Sequence, residues 1–395
     1  MKIKNIFSWI YILLACAMLA IGRLYDERLE FLGINLSIIL SVSFLLVSIP
    51  LLLSIKRVKH FNTKRLFYYF LSIIIIFPPV LCLYFDYDDF GFEKYFNFIF
   101  IVIPLVIIVI ETFKYNDVRV FFKILLGFII ALSLIGLFVV STSSDRLSVL
   151  GGGPIVFARW MNIGLIILFF IKPSRINKKN ILLMLFLLVL SLAAGSKGPV
   201  LSLVITLVVF FFLNFQKIFL RVLFFSCLIG SIVFFSGINT SILGIGKTER
   251  LVTKGNTSID ARMVFVSRSV DLILHYPLGV GLGNWQVYAN KIKPTHLLKH
   301  QYPHNLVLEI FAELGIISGI LFLILLLKIL FYNYKKMYLN KNNEHSFYPL
   351  LFYLQLYLMS NSFFSGSLND SRLLFVVMAM SLIETSLILK VKKNV

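Results

Sequence analysis

The chain has 395 residues, with 38 Lys and Arg against 18 Asp and Glu for a formal net charge of +20, yet only 14% of its residues are charged and 59% are hydrophobic. A soluble domain carries roughly 25% charged residues, so this chain has too little polar surface to cover a water-soluble globule, and the surplus apolar surface must face lipid. Soluble enzymes and disordered chains are excluded, and cations scattered in short segments rather than gathered on one face argue against a nucleic-acid partner.

A helix crossing a bilayer needs about 20 apolar residues. By that rule the sequence predicts an all-α polytopic membrane protein with twelve spans, near 6–22, 31–53, 66–85, 96–111, 118–140, 154–171, 181–194, 198–213, 218–236, 304–331, 347–363 and 373–389. The seventh and eighth are short and separated by Gly195-Ser196-Lys197-Gly198-Pro199, which reads either as one hairpin or as two half-helices. Lys and Arg cluster at the start of the chain, after spans two, six and ten, and at its end; twelve spans put all of these on one side, so both termini are expected in the cytoplasm. The organisation is then a membrane bundle over 1–235, a large extracytoplasmic loop over 236–303, and C-terminal membrane helices over 304–395. Cys16, Cys82 and Cys227 all lie in apolar runs and read as small buried hydrophobes, with no disulfide framework expected.

The long loop is the one segment of mixed polarity, and it holds His275, His296 and His300, with His304 at its end. Its aromatic and aliphatic content argues for structure. Asp260 to His275 reads as a surface helix, capped at Ser258 or Asp260 and stopped by Pro277. Met263, Val266, Val270 and Ile273 form an apolar stripe that rests on the membrane or over the mouth of the bundle.

Several motifs carry little. Leu13-Leu14-Ala15-Cys16 resembles a lipoprotein cleavage site but fits an uncleaved first span. Gly279-Val280-Gly281-Leu282-Gly283 lacks the strand and helix of a dinucleotide site and reads as a turn. His296, His300 and His304 fall four apart, but Pro294 and Pro303 interrupt any helix through them and no Cys or carboxylate stands beside them as a further metal ligand. No metal or cofactor is expected. A Ser-His-Asp hydrolase lacks its nucleophile elbow.

Four stretches remain. Arg146 leads through Gly151-Gly152-Gly153 to Pro154; the bland reading is a flexible turn with an exposed Arg. Lys197 sits in the Gly195–Pro199 segment, where it could simply snorkel. Arg262 and Arg268 precede Pro277-Leu278-Gly279-Val280-Gly281, and charges on such a helix usually face water. Finally His304-Asn305 opens span ten, where Asn305 can cap the helix and Gly315 and Gly319 offer a small face for helix packing. Glu309 and Glu313 follow in the first turns of that span, where a carboxylate is costly and hints at function. Basic groups and a neutral His at an outer membrane surface suit an anionic, lipid-linked substrate.

In this order, the four stretches resemble the O-antigen ligase/polymerase superfamily, the Wzy and WaaL type integral membrane glycosyltransferases. The resemblance runs over about 140–330 by motif. Lys197 stands where the family carries Arg, and Val266 where it often has Trp. What the resemblance implies is a GT-C-like membrane fold in the bacterial cytoplasmic (inner) membrane, with its active site facing outward. The implied reaction is metal-independent glycan transfer from an undecaprenyl-diphosphate-linked oligosaccharide to a sugar hydroxyl. His304 would take the hydroxyl proton and Arg262 would stabilise the leaving diphosphate. Arg146, Lys197, Arg268 and Asn305 would bind diphosphate or glycan.

Implied partners are lipid-linked donor and acceptor, membrane lipids, and a chain-length regulator and flippase. The triple glycine favours a polymerase, with a ligase acting on lipid A-core as the alternative. A flippase or transporter is the rival class; spans nearly free of central charge and halves without symmetry speak against it.

Overall fold

The computed structural model describes residues 2–21, 36–55, 62–81, 84–85, 89–142, 149, 153–171, 178–215, 257–292, 302–341, 343 and 346–383. Its elements are helices: α1 (Lys2–Ile21), α2 (Leu36–Leu53), α3 (Asn62–Leu81), α4 (Asp89–Asn97), α5 (Ile103–Thr112), α6 (Tyr115–Thr142), α7 (Pro154–Ile171), α8 (Lys178–Ala193), α9 (Lys197–Asn214), α10 (Thr257–His275), α11 (Trp285–Ile292), α12 (Leu306–Leu339), α13 (Tyr348–Ser365) and α14 (Arg372–Ser381). A π-turn over Phe98–Val102 joins α4 to α5.

Among the described residues six helical segments are long and apolar enough to cross a membrane: Thr63–Leu81, Gly91–Thr112, Asn116–Phe138, Pro154–Ile171, Lys197–Asn214 and Leu306–Leu339. Ser8–Ala20, Ile38–Leu53 and Arg372–Ser381 are shorter apolar helices. Among the described residues every element is a helix, and the six apolar helices long enough to span mark a polytopic membrane protein. The expected fourth span starts earlier than its apolar run, because α4 continues it backwards through Lys94. The expected ninth span, 218–236, lies outside the described residues, as do Cys82 and Cys227.

Spans seven and eight resolve into two helices. Gly195 turns the chain with φ 62 and α9 begins at once at Lys197, so the segment is a tight hairpin. α7 packs on α8, α9 and α13, while α12 packs on α3, α13 and α10. Within the membrane bundle, Asn333 donates to Gln355 Oε1 (2.8 Å) and Ser381 Oγ (2.7 Å), and Gln355 donates to the Leu326 carbonyl (3.1 Å). These bonds tie α12, α13 and α14 together where no water competes. Cys16 is buried against α6, as expected of a small hydrophobe.

Two cores result. One runs through the bundle from Tyr11 to Ile383. The other, built on Phe265, Leu272, Val280, Trp285 and Tyr288, joins α10 and α11 to Ala312 of α12. That second core sets the long loop against the head of α12 and so determines where the candidate residues meet.

Candidate functional site

α12 is not one straight rod. Gly315 has φ 84 and breaks it into a short head and a long stem. The turn after α10 enters the break: Val280 N donates to the Ala312 carbonyl (3.1 Å), Gly281 N to the Glu313 carbonyl (2.8 Å), and Ile316 N to the Pro277 carbonyl (2.9 Å). Backbone groups that a helix would pair within itself are thus satisfied by the turn. The approach leaves no room for side chains. A Cβ on Gly279 (φ +90) would stand 2.6 Å from the Glu313 carbonyl oxygen, and one on Gly315 would stand 2.5 Å from that of Leu278. The Pro277–Gly281 turn and Gly315, read separately in the sequence, are two halves of one joint. The expectation that Gly315 and Gly319 form a packing face for another helix is corrected. Gly315 is the kink, and a Cβ on Gly319 would meet the Phe311 ring of the same helix at 2.3 Å.

His304 lies just before this head, in a left-handed conformation (φ 55) that costs a non-glycine residue about 1–3 kcal/mol. Its ring is held between Phe265 of α10 (centroids 5.8 Å apart) and Tyr302 (4.2 Å). Nδ1 is buried and has no hydrogen-bond partner among the described residues. Burial and the nearby Arg262 guanidinium hold its pKa below the ordinary 6.5, against a smaller upward pull from the Asp370 carboxylate. At neutral pH the imidazole is therefore uncharged and able to accept a proton.

Asn305 caps α12, its Oδ1 accepting from Val307 N (3.0 Å) and Leu308 N (3.1 Å), as expected of a cap. Its oxygen is committed to the backbone. Arg262, half-buried, lies beside His304 and Tyr302, and burial lowers its pKa. Arg268 is buried and donates to Asn290 Oδ1 (3.1 Å), bracing α10 against α11; six residues on from Arg262, it lies about 120° around the helix. Lys197 begins α9. The next residue, Gly198, abuts Ser365 so closely that a Cβ there would stand 3.3 Å from Ser365 Oγ. Arg146 lies outside the described residues, as do His296 and His300.

Sequence reasoning missed the partners that frame this cluster. Arg159, buried within α7, donates to the Asp370 carbonyl (3.0 Å) and the Ser365 carbonyl (3.2 Å). A cavity of about 290 Å³ opens beside it, lined by Gly153, Pro154, Tyr302, Asn369, Asp370 and Arg372 among others. It joins the end of the Arg146–Pro154 stretch to the residues next to His304. The Ser367–Arg372 turn that supplies Asp370 is closed by Ser371 Oγ on the Ser367 carbonyl (2.7 Å), Asp370 N on Ser367 Oγ (3.2 Å) and Arg372 Nε on the Asn369 carbonyl (2.9 Å).

Lys94, the buried partner of Glu309 and Glu313, was the other omission. Lys94 of α4 donates to both carboxylates, and all three side chains are at least 97% buried. Glu309 Oε2 also accepts from Leu368 N (2.8 Å). One side chain therefore links α12, five residues past His304, to the turn that carries Asp370. The Glu pair hinted at function in the sequence, at spacing that places both carboxylates on one face. Lys94 gave no signal, because its partners lie 215 and 219 residues away.

Chemically, the arrangement offers a neutral imidazole with a free ring nitrogen, a carboxylate and a guanidinium beside it, and a cavity with two further arginines. Among the described residues, no three His, Cys, Asp or Glu side chains stand together as metal ligands. A sequence model of the O-antigen ligase family (Wzy_C) matches residues 181–323, a stretch containing the Lys197 hairpin, Arg262, the Gly279 turn, His304 and Gly315. No curated protein matches the chain.

Proposed function

On the premise that this chain belongs to the O-antigen ligase/polymerase superfamily, as the match over residues 181–323 supports, we propose that it is a polysaccharide polymerase. It joins undecaprenyl-diphosphate-linked repeat units at the outer face of the bacterial cytoplasmic membrane. The observation that carries this reading is the meeting of His304, Arg262 and Asp370 at the edge of a cavity containing Arg159 and Arg372.

In this reaction the acceptor sugar's hydroxyl oxygen attacks the donor's anomeric carbon. The bond from that carbon to the diphosphate breaks, and its electron pair leaves on the lipid diphosphate. His304 takes the hydroxyl proton, and Asp370 stabilises the imidazolium that forms. Arg262 faces the leaving diphosphate, whose growing charge needs a cation fixed in a site of low dielectric. Arg159 is already spread over two carbonyls, so it serves to hold the Asp370 turn while keeping positive charge on the cavity wall. Lys197 and Arg146 are assigned to glycan or diphosphate from the family pattern, and Lys197 would bind as a point charge without the bidentate fork of an Arg.

The test is a gel profile of surface glycan and of lipid-linked glycan in the source bacterium lacking this gene. A polymerase predicts acceptors bearing one repeat unit and no long ladder, restored by the wild-type gene and not by His304→Ala or Arg262→Ala protein inserted at normal levels. Long glycan stranded on undecaprenyl diphosphate beside bare acceptors would replace this reading with a ligase. Repeat units trapped on the cytoplasmic face would replace it with a flippase.

A further inference from the structure

α10 has its polarity inside out. A helix at a water-facing surface exposes its charges and buries its apolar stripe. Here the charged side chains described in α10 turn inward: Arg268 is buried, and Arg262 and Asp271 are half-buried. The outward positions are Met263 (65% exposed), Val264, Val270 and Leu274 (73%), with only Ser267 and His275 as polar neighbours. Met263, Val270 and Leu274 fall at helical spacing on one side. The ridge does not stop at the helix end. Leu278 continues it, and Ile317, Ile320, Ile324 and Leu327 carry it down the outer side of α12, which is long and apolar enough to span the membrane. The joint at Gly315 fixes this geometry, because it pins the end of α10 to the level at which the stem of α12 begins.

We propose that α10 is a membrane-surface helix, lying in the outer leaflet with Met263, Val270, Leu274 and Leu278 among the upper acyl chains. The occupant is phospholipid. An apolar ridge continuous with the lipid-facing side of a span meets the same solvent as that span. The loop that carries it also has eight Lys and Arg against three Asp and Glu over residues 236–303, which suits an anionic headgroup layer. Resting on the function proposed above, this places Arg262 and His304, on the inner side of the same helix, at headgroup depth. A lipid-linked diphosphate lies at that depth without leaving the bilayer, so the helix selects a substrate presented in the membrane plane over a soluble nucleotide-sugar.

The full chain in phospholipid vesicles tests this. Val270→Trp and Leu274→Trp each add one fluorophore to the three native Trp. Lipids brominated near the glycerol end of the acyl chain are expected to quench the added emission at least about twofold, while aqueous iodide leaves it unchanged. On the unmodified chain, a phospholipid carrying a diazirine at the same depth is expected to label the peptide containing Met263 to Leu274. Quenching by iodide instead would mean a water-facing helix and would overturn the proposal. Shielding from both quenchers with no lipid labelling would mean a protein cover and would overturn it equally. Neither readout depends on turnover, so loss of the polymerase reading through an active His304→Ala protein would leave this result standing.

Discussion

The head of α12 is held on two sides by different physics. On one side the Pro277–Gly281 turn fits into the break at Gly315, backbone against backbone. On the other, Lys94 reaches two carboxylates, one of which holds the Asp370 turn. The first contact is neutral and depends on the absence of side chains. The second is charged and depends on three side chains being present together. The two locks meet at Glu313, and His304 directly precedes the head they hold, so its position against Arg262 and Asp370 draws on both. Steric locks tolerate no insertion, whereas a charged lock fails when it is left half complete.

Breaking the steric lock should have the largest effect. Gly279→Val and Gly315→Val place a Cβ at 2.6 Å and 2.5 Å from backbone in a conformation that β-branched residues avoid. Each is expected to cost about 4–5 kcal/mol or to prevent folding, read as thermal unfolding in detergent. Lys94→Met comes next at about 3 kcal/mol, because it leaves two buried carboxylates without their cation. Adding Glu309→Gln and Glu313→Gln to that variant sharpens the comparison. With no charge left to strand, thermal stability should recover most of the loss, while activity stays low if the ionic link to the Asp370 turn is what aligns His304.

The pH dependence isolates His304 itself. Its pKa is held below 6.5 in the folded protein, so activity should persist below pH 6.5 before the imidazole protonates. Removing the Arg262 charge with Arg262→Gln should move that acid limb upward in whatever activity remains, and Asp370→Asn should move it downward. The same depressed pKa means the unfolded chain binds a proton that the folded chain does not. Stability should therefore fall as pH drops below 6.5 towards the folded pKa, and be unaffected above that window. The smallest effect is expected for Asn305→Ala, about 1 kcal/mol for a lost helix cap. A much larger loss of activity than of stability in that variant would return Asn305 to the substrate-binding residues.

What the sequence makes legible follows the range of the interaction. Apolar helices are local, about 20 residues each, and the six among the described residues that are long enough to cross a membrane lie close to expected segments. The Asn305 cap is also local, and so was read correctly. The Gly279 turn was recognised as a turn, yet nothing near it names Gly315 as its counterpart. A small residue four away suggested a helix face instead. Arg159 went unnoticed because it stands alone in an apolar run, and Asp370 and Arg372 because they share one short polar break; only the fold brings α7, the α13–α14 turn and the loop before α12 together. Arg268 shows the converse. Its charge drew notice in sequence, but in the fold it braces α10 against Asn290.

The kink at Gly315 also bears on how the chain enters the membrane. The head of α12 takes backbone partners from Val280 and Gly281, and Pro277 takes the first N–H of the stem, so the head cannot complete its pairing alone. The segment able to insert as an independent unit is the stem, Ile316 onward to Leu339. Its 24 residues rise roughly 36 Å at 1.5 Å each, enough to cross a hydrocarbon layer of about 30 Å. Residues 277–281 precede it in the chain, so the turn is already translated when the stem leaves the insertion machinery. The head completes its pairing only by docking on that turn, so the joint at Gly315 and the placement of His304 before it form in a step separate from insertion of the stem.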